Sequence, residues 1–169
     1  MLALQITNLK TFMNKLLTGE LFDIFLLEEA TIRTANTYTI DGHINKEFFH
    51  SQDQTQEAPS YDFQPWSELK GLCFHLIKGR HTPLFFKFVF QLKPEITASL
   101  LKRENHTIDD ITMEQLKALV LTIKYDGSKA VLTTGTSFHT FVINKEPDIL
   151  WDKTFSKYLF DHGISYEPL

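Results

Sequence analysis

The chain has 169 residues, 43% of them apolar, with 17 basic and 21 acidic side chains and a formal net charge of −4. These values fit one globular domain over 1–169 and exclude binding of nucleic acid by bulk positive charge, leaving only a local basic face. A single cysteine, Cys73, excludes an intramolecular disulfide and a zinc site built on several thiolates.

"LALQI" (2–6) predicts a strand. In "NLKTFMNKLLTG" (8–19), Leu9, Phe12, Met13, Leu16 and Leu17 share one helical face, with Asn8 as N-cap and Gly19 as terminator. The opening residues lack a basic leader and are interrupted by polar side chains, so they are expected to be mature structure. "LFDIFLLEEATIRT" (21–34) and "NTYTIDGHI" (36–44) alternate as strands and suggest an antiparallel hairpin. Residues from about 50 to 65, "HSQDQTQEAPSYDFQP", are polar and predict a mobile loop.

"SELKGLCFHLIKG" (67–79) is a second amphipathic helix, burying Leu69, Leu72, Cys73, Leu76 and Ile77. "LFFKFVFQL" (84–92) places Phe86, Phe88 and Phe90 on one face, with Phe85 and Val89 on the other, and predicts a central strand covered on both sides. "PEITASLLK" (94–102) is a short helix with Pro94 at its first position. "ALVLTIKY" (118–125) leads through the turn "DGS" to "KAVLTTG" and "SFHTFVIN", expected as two strands meeting at Gly135. A helix from about Pro147 to His162 closes the series. The fold class is α+β, a mostly antiparallel sheet with amphipathic helices packed on one face. No run is long and apolar enough for a membrane span, and a cytoplasmic location is expected.

No arrangement of the seven histidines has metal-ligand spacing, and no cofactor motif is present. Cys73 lies on an apolar stripe and reads as buried and inert. Glu28 and Glu29, adjacent in a strand, are expected on opposite faces and so not as an acid–base pair. Lys87 interrupts an apolar strand and needs a carboxylate or ligand, with Glu28 and Glu29 as candidate partners. The cationic "IKGRHTP" (77–83) reads first as a helix end, where Lys78 offsets the dipole. As an alternative, Lys78, Arg80, Thr82 and Lys87 could join Thr134, Thr136 and Ser137 of "LTTGTSFHTF" around an anion. Ser137 lacks the context of a nucleophile elbow, and His139, sharing a face with Phe141 and Ile143, is expected half-buried and structural. No catalytic residue is identified.

"FLLEEATIRTANTYTIDGHINKEFF", "WSELKGLCFHLIKGRHTPLFFKFVFQL" and "IKYDGSKAVLTTGTSFHTFVINKEPDILWD" resemble a family of short clostridial proteins classed as a domain of unknown function. The resemblance implies a bacterial, cytoplasmic, single-domain protein and brings no activity with it. An internal echo is also present: strand, helix ending in Gly19 and hairpin, then a short strand near 61–63, helix ending in Gly79 and strand. This order is similar to the half-repeats of DNA sliding clamps, which implies paired helices presenting basic residues to DNA. Lys10, Lys15, Lys70 and Lys78, off the two apolar stripes, are the residues in question; a solvated helix face carries such lysines equally well. The resulting expectation is a non-catalytic binding or assembly module. Its partners would be nucleic acid or a second copy of the chain, and its alternative is a pocket for a phosphorylated small molecule between 78–82 and 133–137.

Overall fold

A computed structural model describes residues 1–50, 57–103 and 108–169. Among these, the strands β1 (Ala3–Ile6), β2 (Phe25–Arg33), β3 (Thr37–Asp41), β4 (Gln64–Pro65), β5 (Phe85–Leu92), β6 (Leu116–Tyr125), β7 (Ala130–Phe138) and β8 (Tyr166–Pro168) form one sheet. The order is β3-β2-β5-β6-β7-β1-β8, with β4 added to β2, and every pairing is antiparallel. The helices are α1 (Leu9–Leu17), α2 (Trp66–Ile77), α3 (Pro94–Arg103), α4 (Asp110–Gln115) and α5 (Glu146–Asp161). The α+β class expected from patterning is the observed one.

Alternation along the strands puts Phe25, Leu27, Ala30, Ile32, Phe86, Phe88, Phe90, Leu119, Leu121 and Ile123 on one face. Phe12, Leu16 and Leu17 of α1, Trp66 and Cys73 of α2, and Trp151, Phe155 and Leu159 of α5 close over it. The phenylalanines stack in series, with centroids 4.9 Å apart for Phe86 and Phe88 and 5.6 Å for Phe25 and Phe90. Such ring pairs contribute about 0.5–1.5 kcal/mol beyond their buried area. The Trp66 indole donates to the Leu16 carbonyl at 3.1 Å and ties the start of α2 to the end of α1.

Several expectations are corrected. The opposite face of β5 is not covered: Phe85, Lys87 and Val89 are half-buried among Thr31, Thr122 and the exposed Glu29 and Lys124. Those polar neighbours break up the apolar surface a helix would need, and the Arg33 guanidinium covers the Phe85 ring instead, 5.2 Å from its centroid. On α2, Leu72 is exposed, because the anchored Trp66 turns the Trp66, Cys73 and Ile77 side inward. Residues 130–138 form one strand running through Gly135, which pairs with Val120 and needs no positive φ. The chain then leaves the sheet, so His139, Phe141 and Ile143 are exposed and no second strand follows.

Of the polar segment expected as a mobile loop, residues 51–56 lie outside the described residues. In the remainder, Phe63 bridges to His43 and Gln64–Pro65 joins the edge of β2. A bulge between Leu27 and Glu29 breaks the strict alternation of β2. Both carboxylates therefore reach the same face: Gln91 Nε2 donates to Glu28 at 2.7 Å, and Lys87 Nζ lies 2.8 Å from Glu29. Lys87 thus has its carboxylate partner, and the expectation of opposed glutamates fails because the extra residue shifts the alternation by one.

Candidate functional site: the groove between α1 and α2

The two helices that follow β1 and β4 lie side by side and antiparallel. The end of α1 meets the start of α2 through the Leu16–Trp66 bond, while Leu9 and Met13 of α1 approach Phe74 and Ile77 of α2. Asn8 opens α1 as its spacing predicts, its side-chain oxygen accepting the Thr11 amide at 3.1 Å. In the sheet, β2 and β5, each following one of these helices, pair with each other next to the β3 edge, and β6, reached through α3 and α4, lies on the other side of β5.

Between α1 and α2 lies a groove of about 490 Å³, lined by Leu9, Lys10, Met13, Leu17, Phe74, Ile77, Thr82, Pro83 and Tyr125. Its walls are almost wholly apolar. The Tyr125 hydroxyl, which could have made the floor polar, is bound to the Gly127 carbonyl at 2.8 Å. Burial raises the Tyr125 pKa, with the Asp126 charge adding to the effect, so the ring stays a neutral surface. Lys78 extends the cationic rim: it ends α2 and its ammonium lies over the Phe74 ring, 5.6 Å from the centroid.

The residues singled out from sequence separate into groups. Lys10, Lys78 and Thr82 come together around this groove, and Arg80 is exposed in the connection that follows α2. Lys15 is half-buried on α1 away from the groove lining. Lys70 is committed elsewhere: its ammonium lies 2.7 Å from both Asp23 Oδ1 and the Gly19 carbonyl. Lys87 stands on the open sheet face, paired with Glu29.

Thr134 and Thr136 face α5, where their hydroxyls donate to Asp152 and, at 2.9 Å, to Asp148. Those carboxylates occupy the place an anion would need. Ser137 points to the other face, opposite Ala118. Along β6, Tyr125 marks the end near Thr82 and Pro83, whereas Leu121 and Leu119 stand opposite Thr134 and Thr136. At about 3.4 Å per residue the two segments are roughly 14–20 Å apart along the sheet.

Reactive chemistry is sparse. Cys73 is buried on the inner face of α2, and loss of solvation pushes its thiol up to about 12. Among the described residues no group of three or more His, Cys, Asp or Glu side chains is arranged to hold a metal ion. No described helix is long and apolar enough to cross a membrane. The groove itself was not anticipated. Its signal in the sequence was Phe74, an aromatic residue beside the apolar stripe of α2 that is only half-buried against the core.

Fold and surface define an α+β protein with one open sheet face and an apolar groove across its helical layer. Residues 15–167 match the family of unknown function DUF5721, and the chain belongs to that family. No curated protein and no solved structure matches the chain.

Proposed function

We propose that this protein is a non-catalytic binding module and that the α1–α2 groove is its recognition surface. One observation carries the reading: about 490 Å³ of apolar groove is lined in part by Lys10 and has the Lys78 ammonium over Phe74 at its rim. A partner that fills it needs apolar side chains at helical spacing and carboxylates beside them, the pattern of an acidic amphipathic peptide in a groove. The net charge of −4 makes the two lysines a local contrast that orients such a partner.

The nucleic-acid reading is the second one, favoured by the side-by-side packing of α1 and α2 and the repeat-like order of the sheet. It has fewer cations than the sequence promised, because Lys70 is held by Asp23 and Gly19. Phosphates also gain nothing from Leu9, Met13, Phe74 and Ile77. A phosphorylated ligand shared between 78–82 and 133–137 is the weakest reading, given the separation of those segments.

Selection of a random peptide library on the full chain distinguishes the first two readings. The expected result is enrichment of peptides with apolar residues at i, i+3 and i+4 and flanking Asp or Glu, displaced by Lys10→Glu with Lys78→Glu. The contrary result is no enrichment, together with salt-dependent binding of a 20-base-pair duplex.

A further inference from the structure

A second cavity lies on the other side of the helical layer, away from α1 and α2. Helix α3 begins at Pro94, and its Ile96 and Leu100, one turn apart, face α5, which presents Trp151, Phe155 and Tyr158. The two helices stand apart, leaving a cleft of about 230 Å³ floored by Ile24 and Leu92. Trp151 and Phe155 are 2% and 0% exposed, so the walls are fixed by the core rather than by mobile surface groups.

Most polar atoms around this cleft are already used. The Trp151 indole donates to the Val120 carbonyl at 2.8 Å, and the Tyr158 hydroxyl donates to the Leu21 carbonyl at 2.7 Å. The Ser99 hydroxyl turns back to the Glu95 carbonyl at 3.0 Å. Thr154 and Arg103 remain, with no hydrogen-bond or ion-pair partner among the described residues. Water is poorly held in such a place, because an ordered water needs two to four polar partners, whereas an apolar cavity of about 150 Å³ accepts a benzene ring. The single guanidinium at the rim adds a preference for a planar anion, which it can bind through two parallel N–H donors.

We propose that the α3–α5 cleft is a binding site for a small apolar carboxylate, with one ring or a short branched chain against Trp151 and Phe155 and its carboxylate on Arg103. This site is independent of the α1–α2 groove, so either can be present without the other. Phenylacetate and its neutral counterpart phenylacetamide are suitable probes, titrated into the isotope-labelled full chain. The expected result is shifts of the Trp151 indole, Leu100 and Thr154 signals, with phenylacetate bound at least about tenfold more tightly. Arg103→Met should erase that preference and leave weak, equal binding of both probes. Ser99→Phe, an exposed position on the cleft wall, should block both while leaving the unfolding midpoint unchanged. Absence of cleft shifts at millimolar probe, equal binding of the two probes to wild type, or a carboxylate preference that survives Arg103→Met would each overturn the proposal.

Discussion

The Lys70 ammonium lies 2.7 Å from the Asp23 carboxylate and equally close to the Gly19 carbonyl, so one cation of α2 closes the end of α1. The lysine side chain is only 14% exposed and its partner 27%, which sets this pair apart from the solvated pairs at the surface. A cation at a helix C-terminus also offsets the dipole. Lys70→Met should therefore cost about 1.5–3 kcal/mol, the range for hydrogen bonds to charged groups. Urea unfolding measures this, and affinity of the folded variant for a groove-binding peptide should be unchanged. An unchanged midpoint would mean that the pair contributes nothing and that Lys70 is available to a partner.

Gly42 and Gly135 make opposite predictions for the same substitution. A Cβ at Gly42 would lie 1.8 Å from the Leu27 carbonyl oxygen, where β3 crosses closest to the bulge of β2. Gly42→Ala should destabilise by at least the ~1–3 kcal/mol typical of overpacking. A Cβ at Gly135 meets nothing within 4 Å, and its backbone needs no left-handed conformation. Gly135→Ala should be neutral or gain up to about 1 kcal/mol, since glycine weakens a strand interior. Paired thermal melts check both.

Much of the fold was legible because the core obeys simple periods. The Phe86, Phe88, Phe90 alternation and the Phe12, Leu16 stripe name one sheet face and the helix above it. What failed did so where a local device breaks the period. The bulge beside Glu28 brings two carboxylates to one face, and the bond of Trp66 to Leu16 rotates Leu72 outward. Threonines 134 and 136 looked like ligand groups because sequence does not show that α5 folds back to meet them with Asp152 and Asp148. Of the candidate site, the lysines were visible and the groove beside them was not, since a groove is made by how two helices and the connection after them pack.

Cys73 should be unreactive in the native state. Burial holds its thiol near 12, far above the ~8.5 of a free cysteine, so almost no thiolate exists at pH 8. The linkage follows: the contribution is full below about 8.5 and is lost as pH rises toward 12, because the unfolded chain releases its proton first. Labelling with a thiol-specific disulfide reagent at pH 8 should proceed only as fast as the chain opens. Rapid stoichiometric labelling of folded protein would show that the packing of α2 on the core does not exclude solvent from Cys73.

Asp109 caps α4. Its carboxylate accepts the Thr112 hydroxyl at 2.7 Å and the Thr112 amide at 2.8 Å, and the Asn144 amide donates to it as well. The Thr112 bonds, followed by that of Asn144, lower its pKa to about 2. A depressed folded pKa means that the cap is fully present above the unfolded value near 3.9 and is lost as pH falls toward 2. Carboxyl chemical shifts should show Asp109 titrating near 2, with the Thr112 amide following it. A titration near 3.9 would contradict the cap.

The binding assignment rests on the α1–α2 groove, and one comparison addresses it directly. A peptide selected on the wild-type chain is measured by fluorescence anisotropy against Met13→Asp, inside the groove, and Leu72→Asp, on the exposed side of the same helical layer. A carboxylate among Leu9, Phe74 and Ile77 should weaken binding at least about 30-fold while Leu72→Asp leaves it within about twofold, with both variants folded. Equal affinities for wild type and Met13→Asp would contradict the groove as the recognition surface.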